Sequence, residues 1–245
     1  MSAPVSEPVR AQLARSGSAN IANCLLKRGL RNTMLLGLSP LAPGQPVLVG
    51  PAWTVRFIPA REDLDTMALY ATRESMHRRA IEECPAGAVL VLAPGGDARA
   101  SVMGDMMALR LKVRGVEGVV TDGGYRDAPG IRGTGLPCFQ ARDSGPATPI
   151  ALSPVEFQVP VGLAGVAVYP GDVIVGDAEG VVCIPAALVE EVAGEAAANA
   201  DYEVFVAAHL RHGRSIFGLF PATAQSRAEY EQWVAAGRPP LETLP

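Results

Sequence analysis

The 245-residue chain is poor in several residue types, and each scarcity excludes something. It has three histidines, four cysteines and 5% aromatic residues. Cys24, Cys84, Cys138 and Cys183 are widely spaced, form no CxxC pair and lie at no zinc-ligand spacing from a histidine, which argues against a structural zinc site and for a reduced chain. No apolar run is long enough to span a bilayer. The first ten residues are broken by proline and lack a basic cluster with a following apolar stretch, so no secretory signal is expected and the expected compartment is the cytoplasm. Positive charge is also limited, with 21 Lys and Arg against 25 Asp and Glu and a net charge of −4. Nonspecific nucleic-acid binding draws on clustered basic charge, so neither nucleic acid nor membrane is expected as a partner. GxGxxG, GxxxxGK[ST], HExxH and GxSxG are all missing, which leaves dinucleotide, P-loop, zincin and nucleophile-elbow chemistry without support.

What is present is a composition that folds: 49% hydrophobic residues, 19% charged, and no repeat or low-complexity stretch. Residues 16–29 read as a helix with a serine-rich start and a glycine stop. Two strands are predicted at 47–49 and 53–58, then a helix over 65–84 that ends before Pro85. The run AVLVLA at 88–93 is apolar without alternation, as expected of a strand covered on both faces. A glycine-rich exit, a helix at about 104–114 and a second buried strand at 118–121 complete a parallel strand-helix-strand unit. Residues 136–140 suggest another strand, 165–184 three more, and 186–212 a long alanine-rich helix. The expectation is one α/β domain over 1–212 and a proline-punctuated extension over 213–245 that packs as an arm.

Chemistry points to 104–127, GDMMALRLKVRGVEGVVTDGGYRD. The loop holding Arg126 and Asp127 follows a buried strand at its carboxyl end, where open α/β sheets place ligands. A guanidinium and a carboxylate there suit an anionic substrate together with a hard divalent cation. Alternatively, Asp127 caps the turn entering Ala128-Pro129, with Arg126 on the surface. Asp105 opens the helix after the glycine-rich loop, where the free amides of Met106 and Met107 suit a carboxylate, or it serves only the helix macrodipole. His77, beside Arg78 and Arg79, reads as a solvated helix face. His209 and His212 read as polar residues at a helix end.

Twenty residues separate Asp105 from Arg126-Asp127. This resembles the D-x20-R-D pattern of the RraA-like class II pyruvate aldolases, of the 4-hydroxy-4-methyl-2-oxoglutarate and 4-carboxy-4-hydroxy-2-oxoadipate aldolase type. Val49-Gly50-Pro51-Ala52-Trp53-Thr54-Val55 is similar to the family's VGPAxTV strand, Gly104-Asp105 to its helix start, and Pro170-Gly171-Asp172 through Asp177-Ala178-Glu179-Gly180-Val181-Val182 to its ending. The resemblance implies an α/β fold, a β/β/α sandwich with a central mixed sheet and a C-terminal helical arm, assembled as trimers or hexamers with sites between subunits. It implies Mg2+ or Mn2+ held by Asp127 directly and by Asp105 through a water. It further implies Arg126 at the keto oxygen of a 2-oxo acid, and the helix start Gly104, Met106 and Met107 at its carboxylate.

The implied activity is retro-aldol cleavage of a 4-hydroxy-2-oxo (di)acid to pyruvate, with oxaloacetate decarboxylation as a companion. Two alternatives stand beside it: a non-catalytic regulator that inhibits an RNA-degrading endonuclease by protein contact, and a decarboxylase or tautomerase acting on another keto acid. The chain departs from the pattern at Asn23, where many members carry an acid. It departs also at Met106-Met107, where leucines are usual, and at bulky Tyr125; either change can reshape the pocket, and the methionines equally suit core packing. Glu191 and Glu195 on the long helix are candidates to complete a neighbouring subunit's site. The extension from residue 213 is expected to pack on the domain or across a subunit boundary.

Overall fold

The computed structural model of the chain describes residues 5–239. Helices α1 (Glu7–Ser16) and α2 (Ser18–Lys27) come first, then β1 (Ser39–Pro40) and the long β2 (Leu48–Pro59). There follow α3 (Met67–Tyr70), α4 (Met76–Glu83), β3 (Val89–Ala93), β4 (Ser101–Met103), α5 (Asp105–Val113), β5 (Gly118–Thr121), β6 (Gly124–Tyr125) and α6 (Ala128–Thr134). The chain continues through β7 (Cys138–Gln140), β8 (Arg142–Asp143), β9 (Leu152–Phe157), β10 (Val161–Leu163), β11 (Val166–Val168), β12 (Val173–Gly176) and β13 (Val181–Ile184). Helices α7 (Val189–Arg211) and α8 (Ala224–Ala235) end the described chain. No described helix is long and apolar enough to cross a membrane.

The main sheet is mixed, in the order β1-β7-β5-β3-β2-β12-β13, with β9 also on β2. Strands β2, β3, β5 and β7 run parallel to one another, whereas β12 and β9 run antiparallel to β2. The two strands predicted at 47–49 and 53–58 are one, β2. Pro51 is its last partner on β12, just before the β3 pairing begins at Ala52, a ladder end where a missing N–H is tolerated.

The apolar run of β3 divides between two cores. Leu90 and Leu92 join Ile81, Ala108, Leu111 and Ile131 under α4, α5 and α6, while Val89 and Val91 face the β10–β11 hairpin with Leu163 and Val168. This explains why the run lacks alternation. A third core seats α1, α2 and α7 on β12 and β13 through Leu13, Ile21, Val175 and Val192. The expected C-terminal helical arm is α8, whose Tyr230 and Trp233 pack on Tyr202 and Phe205 of α7 in the same chain. A capping box, Thr223 with Ser226, starts it. His209 is edge-on to Phe205, and the ring Nδ1 of His212 is 3.0 Å from Ala208 O, so both finish α7 as expected.

Each parallel strand has a short sequel. After β3, β5 and β7 the chain breaks briefly and resumes as β4, β6 and β8, which pair in parallel as a second, three-stranded sheet ordered β4-β6-β8. The site predicted at strand carboxyl ends therefore lies beyond this small sheet.

The single helix predicted over 65–84 is interrupted. The Thr72 hydroxyl donates to Leu69 O at 2.8 Å and accepts from Glu74 N at 3.2 Å, a local arrangement that competes with the helix. The break brings Tyr70 opposite His77, and His77 corrects the solvated-face reading: it is buried at 1% exposure. Its Nε2 lies 2.7 Å from Val102 O, and its Nδ1 2.5 Å from the Tyr70 hydroxyl. A carbonyl can only accept, so Nε2 carries the proton and Nδ1 accepts from Tyr70. Burial lowers the His77 pKa to about 4.

That pKa has a consequence for stability. Between pH 6.5, the ordinary histidine value, and about 4, the unfolded chain takes up a proton that the folded chain refuses. The contribution is full above pH 6.5, is lost as pH falls toward 4, and amounts to about 3 kcal/mol. Urea unfolding across this window is expected to show that loss in the native sequence, and His77→Gln, which can keep both hydrogen bonds, is expected to remove most of the difference. Equal slopes in the two chains would refute it.

Candidate active site

The small sheet sets the geometry. Ser101 pairs with Gly124 and Met103 with Tyr125, so the residues that leave β4 and β6 emerge side by side. The Arg126 amide donates to Met103 O at 3.0 Å, which closes the pair. Gly104 is then pressed against the second strand's exit: a Cβ there would lie 2.9 Å from Asp127 Oδ2 and 3.0 Å from Arg126 Nε. Only glycine fits. The contact is reciprocal, because a Cβ at Gly130 in α6 would fall 2.6 Å from Asp105 Oδ2. Each helix start thus carries the other's carboxylate, and Asp105, Arg126 and Asp127 converge on one corner.

Asp127 precedes α6 with φ 56° and ψ 36°, a left-handed conformation. It makes no side-chain cap hydrogen bond, so the capping alternative is not realised. Instead its Oδ2 lies 3.3 Å from Arg126 Nε, with both side chains 47% exposed. At α5, Ala108 N makes the first helical bond, to Gly104 O at 3.1 Å. The amides of Asp105, Met106 and Met107 therefore have no acceptor within the helix and form an anion-binding end.

A cleft of about 900 Å³ opens in front of this corner, lined by Gly104, Asp105, Met106, Met107 and Arg126 among others. Asp127 is not among its lining residues. Met106 is 68% exposed and faces the cleft, while Met107 packs partly against the central core. Tyr125 does not reshape the pocket, contrary to expectation. Adjacent residues of an extended strand point to opposite faces, so with Arg126 outward the Tyr125 ring turns inward. It is fully buried and donates from its hydroxyl to Phe139 O at 3.0 Å.

Asn23 is exposed on α2. Glu191 and Glu195 lie away from the cleft of their own chain, where both take Arg28 and Glu195 also takes Lys27. All four cysteines are buried and unpaired, and burial pushes the Cys84 and Cys138 thiols up to about 12, which disfavours a thiolate nucleophile. Sequence reasoning missed the far wall of the cleft, Tyr70, Arg73, Arg78 and Thr148. The only signal was the spacing of His77 with Ala80 and Ile81, which marks a buried helix face.

Among the described residues, no group of three or more His, Cys, Asp or Glu side chains forms a metal cage. The converging donors are two carboxylates. This set does not fit zinc, but it fits Mg2+ or Mn2+, which bind through one or two carboxylates and take remaining oxygens from water and substrate.

Comparison with known proteins agrees with this architecture. A protein of Halalkalibacterium halodurans, provisionally named 4-hydroxy-4-methyl-2-oxoglutarate aldolase, is 32% identical over 148 residues, 60% of this chain and 64% of its own. Protein DlpA of Legionella pneumophila is 30% identical over 183 residues, 74% of this chain and 28% of its own. The chain thus spans under two thirds of either relative. Streptomyces coelicolor RraAS2, described as an unusual member of the RNase ES inhibitor RraA family, superposes with a TM-score of 0.73 at 34% identity, covering 84% of this chain and 98% of its own. A Pseudomonas syringae structure, at 24% identity, reaches 0.78 over 94% and 97% of the two chains and supports the fold. Residues 18–183 match the family model described as RraA-like, Aldolase/RraA, and the chain belongs to that family.

Proposed function

We propose that the chain is a divalent-metal-dependent lyase that cleaves a 4-hydroxy-2-oxo acid to pyruvate and also decarboxylates oxaloacetate. The observation that carries this reading is Asp127. A left-handed backbone costs about 1–3 kcal/mol at a non-glycine residue, and here no capping bond offsets it. Gln158, Ala164 and Arg238 share this conformation outside the cleft lining, and what sets Asp127 apart is that its carboxylate lies beside Arg126 and the α5 start at Gly104.

In this reading the substrate carboxylate lies on the Met106 and Met107 amides, and Arg126 faces the 2-keto oxygen. The proton of the 4-hydroxyl passes through an intervening water to the Asp105 carboxylate as the C3–C4 bond breaks. Its electrons move to C3 and the keto oxygen, and the leaving fragment becomes a carbonyl compound. Arg126 stabilises the enolate oxygen, and returning the proton to C3 gives pyruvate. Asp127, with Asp105 behind it, would hold Mg2+ or Mn2+, which when bound supplies a further positive charge at that oxygen. Loss of CO2 from oxaloacetate generates the same enolate. The subunit-spanning assembly and a role for residues 213–245 in it belong to this proposal, as does a cytoplasmic setting.

A second reading, endonuclease inhibition by protein contact, is favoured by the likeness to RraAS2. Its test is inhibition by chelator-treated protein, and it predicts that Asp127→Ala still inhibits.

With oxaloacetate and Mg2+, the native chain is expected to release pyruvate, chelator to stop it, and Asp127→Gly to reduce it at least 100-fold. Glycine relieves the left-handed strain, so Asp127→Gly should unfold at the same or a higher urea concentration than the native chain. Full activity in that variant would overturn the metal assignment. Gly130→Ala adds a helix-favouring residue yet displaces Asp105. Steady-state assays should find kcat lowered at least tenfold, and because the clash reaches the Asp105 Cβ, urea unfolding should show a loss of stability of about 1–3 kcal/mol alongside it.

A further inference from the structure

The cleft carries more positive charge than the cleavage chemistry requires. Five arginines line it, Arg73, Arg78, Arg79, Arg110 and Arg126, with three carboxylates, Glu82, Glu83 and Asp105. Two of the arginines are matched: Arg79 holds Glu83 at 2.8 Å and Arg110 holds Glu82 at 2.8 Å. Those pairs neutralise Glu82 and Glu83. Among the described residues, Arg73 and Arg78 have no ion-pair partner, so this part of the cleft lining is left cationic.

Arg78, an exposed side chain, differs from Arg73 in having an aromatic partner. Its guanidinium carbon lies 5.4 Å from the centroid of the Tyr70 ring, a cation–π arrangement. Tyr70 is held in turn by its hydrogen bond to the buried His77, whose other nitrogen is tied to Val102 O. The chain of contacts runs from the core to the cleft wall and presents a guanidinium without an acid. It leaves the guanidinium edge open, and that edge presents paired N–H donors in the fork that matches a carboxylate. Arg126 and Arg78 both act electrostatically on His77 and on Tyr70, so the two cations share one region of the cleft.

We infer that Arg78 is the specificity-determining residue for a second carboxylate, at the end of the substrate remote from the 2-oxo acid group. Among the 2-oxo acids of the proposed function, Arg78 would then select those with a second carboxylate, one carboxylate lying on the α5 amides and the other on Arg78. This assignment rests on the lyase reading for the orientation of the substrate, but not for the preference between mono- and diacids.

The test separates the two. Native protein and Arg78→Met are titrated calorimetrically, with Mg2+ present, against 2-oxoglutarate and against 2-oxopentanoate, which has the same chain length and lacks the second carboxylate. The native chain is expected to bind the diacid at least tenfold more tightly, and Arg78→Met, which keeps an apolar stem over Tyr70, to bring the two ligands within threefold. Arg78→Lys, which keeps charge without the fork, should retain an intermediate preference and serves if the methionine variant does not fold. No preference in the native chain, binding of neither acid, or a preference that survives in both variants would overturn the assignment. If the preference holds and no 4-hydroxy-2-oxo acid yields pyruvate, the lyase reading alone fails. If pyruvate forms and the preference is absent, Arg78 alone fails.

Discussion

Strands β4 and β6 run side by side in parallel, and the corner that gathers Asp105, Arg126 and Asp127 follows from that pairing. Parallel strands end in the same direction, so the residues after Met103 and after Tyr125 must be neighbours. Glycine at 104 allows the second exit to lie against the first, and glycine at 130 does the same for Asp105. Little in the corner stabilises itself. The Arg126–Asp127 ion pair is half exposed and contributes at most about 1 kcal/mol, while the left-handed Asp127 costs about as much or more. Its geometry is maintained by the buried residues on both sides, Tyr125 before and Ala128 and Ile131 after.

What could be read in the sequence follows from burial. The runs of β3 and β5 are apolar throughout because both faces of the sheet are covered, and they appear in the sequence as such. Helix α5 and the long α7 are marked by their glycine and basic ends. Strands β4, β6 and β8, of two or three residues, are too short for any periodicity to develop. The order of the site residues along the chain was therefore legible, and so was their convergence at strand ends, but not the small sheet that brings them together. Tyr125 was misjudged for the same reason: without β6, nothing says that it faces away from Arg126.

His77 shows a different limit. Its flanking arginines describe the exposed face of α4, whereas Ala80 and Ile81, three and four residues on, describe the buried one. A histidine on that boundary is assigned by what lies across from it, here Val102 O and Tyr70, and both are distant from local pattern. The interruption of the helix at Thr72 is visible in residue type, yet only the structure reveals that it turns Tyr70 back toward His77 and so builds the far wall of the cleft.

The same family fold carries proteins described as aldolases and as inhibitors of an RNA-degrading enzyme, so the fold does not decide between these activities. The side chains at the ends of β4 and β6 do bear on it. A protein that acts through its outer surface has no need of glycines at both points where two carboxylates would otherwise be displaced. An enzyme that collects negative charge on a 2-oxo acid gains from both. In the proposed function the left-handed backbone is the cost of holding the Asp127 carboxylate beside Arg126, and glycine at position 127 would avoid it if no ligand depended on that carboxylate.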